Sequence, residues 1–99
     1  MILEIATLTI QSGQQAAFEA GVAQAIPVFL RAKGCRGLQL QRCIEDPLSY
    51  RLHVQWDTLE NHTVEFRTSP DFQVWRGLVG QYFSSAPQVV HSEQVLSSH

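Results

Sequence analysis

Apolar and polar residues alternate most cleanly from Tyr50 to Asp57, where Tyr50, Leu52, Val54 and Trp56 stand against Arg51, His53, Gln55 and Asp57. A repeat of two predicts a strand with one face on a core and the other polar. The repeat then changes. Asp57 or Thr58 can cap a helix, with Glu60 placed to reach back as in a capping box. Leu59, His62, Thr63 and Phe66 follow at helical spacing on one side. Ser69-Pro70 opens a second helix, because serine accepts from orphan amides and proline at the first position gives up no bond. Phe72, Trp75, Val79 and Tyr82 form its inward stripe.

From Met1 to Ile10 both alternations are largely apolar, with Ile2, Ala6, Leu8 and Ile10 on one face and Leu3 and Ile5 beside Thr7 and Thr9 on the other. Such a strand belongs in the middle of a sheet, covered on both sides. The helices of so short a chain cover one side only, so a second copy is expected on the other, making a homodimer through the sheet face. Ser12-Gly13-Gln14-Gln15 reads as a capping box opening a long helix with Phe18, Val22, Ala25, Ile26 and Phe29 inward and Gly34 as its stop. Pro27 lies inside it and predicts a kink or break near Ala23 to Ile26.

Arg36 to Glu45 reads as a strand with Leu38, Leu40 and Ile44 on one face, and Asp46-Pro47-Leu48-Ser49 turns it back as a hairpin. A last strand runs from about Pro87 to Val95, and Ser97 to His99 reads as a frayed tail. The order βαββααβ describes an α+β, ferredoxin-like sandwich with a four-stranded antiparallel sheet and a second helix split in two. It forms a single domain over residues 1–99.

A formal charge of −2 without any run of Lys or Arg argues against nucleic acid or an anionic membrane as the main partner. No apolar stretch approaches the roughly 20 residues that span a bilayer, and Met1 leads straight into a strand, so the expected location is the cytoplasm. Cys35 and Cys43 fall on one extended segment roughly 26 Å apart at about 3.3 Å per residue, beyond disulfide reach. They are expected as free thiols. No pair of histidines has the spacing that converges metal ligands, so no metal site is expected.

The string Trp56, Thr58, Glu60, His62, Phe66, Arg67, Ser69, Phe72, Trp75 resembles the pattern W-x-[ST]-x-E-x-H-x-x-x-F-R-x-S-x-x-F-x-x-W of antibiotic biosynthesis monooxygenase domains. Gly34-Cys35 before a strand and Glu45-Asp46-Pro47 in a turn are similar to that family too. The resemblance implies a dimeric α/β barrel. It also implies oxidation of a small phenol or hydroquinone by O2 with no cofactor, neither metal nor flavin, because the deprotonated substrate itself reduces oxygen. The protein then needs a base or polar relay, donors for developing charge and a dry cavity.

The expected catalytic residues are His62 and Trp56, and the expected wall around a small aromatic substrate is Phe66, Phe72, Trp75, Phe29, Tyr82 and Thr7, the last two as donors. Each has a plainer reading. His62 either takes a proton or hydrogen-bonds a backbone carbonyl; the aromatics are core residues as readily as cavity wall. His53 shares the polar face of its strand with Arg51 and Gln55, His91 ranks third and His99 lies in the tail. The alternative functions are a non-catalytic ligand-binding or stress-response dimer and, more remotely, a haem-binding or haem-degrading protein. The haem-degrading relatives resemble one another in an Asn on the first strand and an axial His on a helix. Here Ala6 and Thr7 occupy the first strand and Phe66 stands where that His is expected.

Overall fold

The computed structural model describes residues 1–98; His99 lies outside them. Four strands, β1 (Ile2–Thr9), β2 (Cys35–Arg42), β3 (Ser49–Trp56) and β4 (Gln88–Glu93), form one antiparallel sheet in the order β2-β3-β1-β4. Helices α1 (Gln15–Leu30) and α2 (Pro70–Val79) cover one face. This is the α+β ferredoxin-like fold that the periodicity predicts, with β1 in the interior of the sheet.

The inward rows explain the layering. Tyr50, Leu52, Val54 and Trp56 on β3 are buried beside Ala6 and Leu8 on β1, in a register that pairs Ile2 with Trp56 and Leu8 with Tyr50. Phe18 meets Tyr50 edge-on at 4.9 Å, and Phe29 meets Trp75 edge-on at 4.9 Å, so aromatic pairs fix both ends of α1 to its neighbours, the sheet at one end and α2 at the other. Gly21 lets α1 approach α2 closely, since a Cβ there would stand 2.7 Å from the Leu78 carbonyl oxygen.

Several local expectations are corrected. Helix α1 runs unbroken through Pro27, which sits in its last turn, where the missing amide removes only one internal bond. Ser12 does not cap it; Gln15 reaches back to accept from the Gly13 amide at 2.9 Å. Ile26 is exposed, and Val28 takes its place on the buried side. Strand β2 starts at Cys35 and stops at Arg42, leaving Ile44 90% exposed in the following turn.

The segment after β3 differs most. Residues Asn61–Phe66 form a π-helical turn, in which the Arg67 amide reaches back five residues to the His62 carbonyl at 3.1 Å. Its capping box pairs Thr58 with Asn61 instead of Glu60: the Asn61 amide donates to Thr58 Oγ1 at 3.2 Å and the Thr58 amide to Asn61 Oδ1 at 3.0 Å. His62 and Phe66 point inward; Leu59 does not. Ser69 caps α2 as expected, accepting from the Phe72 amide at 3.3 Å with Pro70 at the first position. Both cysteines are free, and burial pushes the Cys35 thiol above its ordinary pKa.

Candidate functional site

Between the helices and the sheet lies a cavity of about 350 Å³, at the small end of ligand pockets. Phe29 from α1, Phe66 from the π-helical turn, and Phe72 and Trp75 from α2 line it. Phe66 meets Phe72 edge-on at 5.9 Å and stacks on Phe29 at 5.0 Å, so the wall is a continuous aromatic surface. His62 also lines it.

Three expected residues do not. Thr7 belongs to the outer row of β1, opposite Arg51 and Gln88, because the period of two turns it away from the helices. Tyr82 ends a 3-10 turn, Gly80–Tyr82, whose tighter winding presents Phe83 to the cavity instead. Trp56 is fully buried behind the wall.

What Trp56 holds is a residue the sequence reading passed over. Glu4 lies on the inward row of β1, between Ile2 and Ala6, and is 4% exposed. Its Oε1 accepts from Trp56 Nε1 at 3.0 Å and stands 3.3 Å from His62 Nε2. His62, 3% exposed, stacks on the Trp56 ring at 5.4 Å, and its Nδ1 lies 2.8 Å from Nε2 of His91 on β4. The register that sets Glu4 opposite His91 makes this line-up possible. The signal for Glu4 was its place as the one charged residue in an otherwise apolar alternate row.

By distance Glu4 and His62 form an ion pair, but burial decides their charge. Desolvation raises Glu4 to about 7, against smaller pulls downward from the Trp56 hydrogen bond and the Arg67 charge. Desolvation lowers His62 to about 4, helped by Arg67 and His91. His91 is lowered as well, by desolvation and then Arg67. The pair is therefore neutral between about pH 4 and about pH 7, with the proton on the carboxyl. In that form Glu4 donates to His62 Nε2, and His62 Nδ1 donates to His91 Nε2, a tautomer assigned from the hydrogen bonds. The chain Trp56, Glu4, His62, His91 thus runs from the core to the half-buried edge of β4.

Among the described residues no group of three or more His, Cys, Asp or Glu side chains converges as a metal site. No helix among them is long and apolar enough to cross a membrane.

Known proteins share this fold. A candidate antibiotic biosynthesis monooxygenase from Bordetella bronchiseptica is 56% identical, with a TM-score of 0.95 over 96% of this chain and 97% of its own. The uncharacterized protein YczJ of Bacillus subtilis (strain 168) is 37% identical over 95 residues, 96% of this chain and all of that protein. SnoaB, a cofactor-independent oxygenase from Streptomyces nogalater solved as a point mutant, shares the fold at a TM-score of 0.82 and 16% identity, covering 98% of this chain and 95% of its own. The profile of the family described as antibiotic biosynthesis monooxygenase matches residues 1–78, and the chain belongs to that family.

Proposed function

We propose that the protein is a cofactor-independent monooxygenase that oxidises a small phenol or hydroquinone with O2. One observation carries the reading: a buried carboxyl–imidazole pair, Glu4 and His62, on the wall of an otherwise aromatic cavity. Removing a phenolic proton leaves an electron-rich anion able to reduce O2. With an anthrone-type substrate the ring CH2 becomes C=O; one oxygen atom enters the ring, and the other leaves with the two hydrogens as water. No outside reductant is consumed. Glu4 ionises near neutrality, so its carboxylate takes the phenolic proton, and His62 passes that proton on to His91. His62, depressed to about 4, is a weak base by itself and acts here through Glu4. Phe29, Phe66, Phe72 and Trp75 exclude water around the reacting anion, and Trp56 holds the carboxyl in place.

Oxygen uptake by metal-free protein, measured on a panel of hydroquinones and anthrone-like phenols, is expected to rise with pH through about 7 as Glu4 ionises. His62→Ala should lower it ~100-fold. A profile flat from about pH 5 to about pH 9, with His62→Ala fully active, would remove the pair from the chemistry.

A binding protein without turnover is the second reading, favoured by the completeness of the polar chain. Glu4, Trp56, His62 and His91 satisfy one another, and among the described residues no buried side-chain nitrogen or oxygen lacks a partner. Aromatic ligands that bind with no oxygen uptake on any member of the panel would select it. Haem fits poorly, because both ring nitrogens of His62 are engaged.

The outer sheet face supports pairing of two copies. Ile5 sits between His53 and Val90 in register, Leu3 is its neighbour on the same row, and Val90 is 59% exposed. An apolar strip on an uncovered sheet face gains by meeting its own copy across a two-fold axis. Sedimentation equilibrium is expected to give a dimer for the wild type and a monomer for Ile5→Lys; a wild-type monomer would rule the pairing out.

A further inference from the structure

We infer that the ligand of this cavity carries an anionic group, held at the rim by Arg67 and Arg76. The inference rests on the aromatic cavity being a ligand site, and goes further by naming the ligand's charge. Of the seven Lys and Arg side chains, Arg31, Lys33, Arg36 and Arg42 are each paired with a carboxylate. Arg51, Arg67 and Arg76 have no carboxylate partner among the described residues. Arg51 stands on the outer face of β3. The other two both line the cavity.

Their position is built from two elements. Arg67 closes the π-helical turn, and Arg76 lies on α2 with its guanidinium 5.9 Å from the centroid of the Phe72 ring. Both are exposed, so they form a rim and leave the floor to Glu4 and His62. Between about pH 4 and about pH 7 the floor cannot neutralise them: among the described residues Glu4 is the only acid on the wall, and burial keeps it largely protonated while His62 stays uncharged. An apolar slot with two guanidiniums at its mouth and a near-neutral floor selects a flat body bearing a carboxylate or similar acid. The ligand class is therefore a small aromatic acid, its ring against Phe66, Phe72 and Trp75 and its charge at the mouth.

Titration calorimetry with 2-naphthoate and its neutral isostere 2-naphthamide tests this on wild type, Arg67→Gln, Arg76→Gln and the double variant, at about pH 6, where the probe is ionised and Glu4 is still protonated, and at low and high salt. Both arginines are exposed, so the variants should fold. The wild type is expected to prefer the acid at least about tenfold at low salt. Each single variant should lose part of that preference, and the double variant should reduce it below about twofold with 2-naphthamide affinity unchanged. Salt should weaken only the acid. Equal affinity of both probes for the wild type would overturn the anionic ligand and leave the cavity standing as an aromatic site. A preference that survives in the double variant would also overturn it. If neither probe binds, the aromatic-cavity reading falls together with it.

Discussion

Glu4→Gln is expected to lower oxygen uptake at least ~100-fold and, above pH 7, to make the protein more stable. The amide keeps the shape of the side chain: its oxygen, standing in for Oε1, accepts from Trp56 Nε1 and, with the imidazole in its other tautomer, from His62 Nε2. What it loses is the ability to take a proton. The stability effect follows from the direction of each displaced pKa. Glu4 is raised from 4.5 to about 7, so its contribution is complete below 4.5 and is lost as pH rises through 7, ~3 kcal/mol in all. His62 is lowered from 6.5 to about 4, so its contribution is present above 6.5 and is lost as pH falls toward 4, by a similar ~3 kcal/mol.

Between 4.5 and 6.5 the two slopes cancel, because folding moves one proton from the imidazole to the carboxyl without net uptake. Wild-type stability should therefore be nearly flat there with respect to this pair, and lower above 7. Glu4→Gln leaves only the His62 slope, so its urea midpoint should be higher at about pH 8 than at about pH 5, where the wild type shows no such gain. Parallel midpoints for the two proteins would show that Glu4 is not held protonated by the fold.

Trp56→Ala should be the most damaging core substitution, lowering stability by ~3–5 kcal/mol. The indole is fully buried and packs against both His62 and Phe66 at 5.4 and 5.5 Å between ring centroids. Its removal opens a void and strips Glu4 of its donor. For a small domain with a total of ~5–10 kcal/mol, that loss should lower Tm by at least ~15 °C. Trp56→Phe separates the two roles, since it keeps most of the packing but deletes the N–H. Without that hydrogen bond Glu4 should ionise at higher pH and the oxygen-uptake profile should move with it. A Tm change below ~5 °C for Trp56→Ala would mean that the ring is not the keystone of the inner layer.

The sequence made the sheet readable because burial of one face imposes a period of two, and Tyr50, Leu52, Val54 and Trp56 obey it without interruption. The caps were less readable. Thr58 was a plausible cap from its position alone, but its partner depends on backbone geometry, and Asn61 reaches its amide where Glu60 does not. For the site, the aromatic wall followed from helical spacing, while the ionisable floor did not. Glu4 looks like a solvent-facing residue until Trp56, fifty-two positions away, is placed beside it. His91 likewise becomes part of the site only through the register of β4 on β1. Contacts between remote strands carry no local periodicity, so alternation can mark such a residue as anomalous without saying what it meets.

The wide turn at Asn61–Phe66 has a consequence for how relatives are compared. His62, Phe66 and Arg67 all reach the cavity. In an ordinary α-helix, at about 100° per residue, Arg67 would point about 140° away from His62. The turn accommodates one more residue than regular winding allows, and that surplus swings the guanidinium round to the mouth. Part of the site is thus encoded in spacing rather than in residue type. A homologue with the same histidine and arginine but a regular helix would align without a gap and still lack the rim charge.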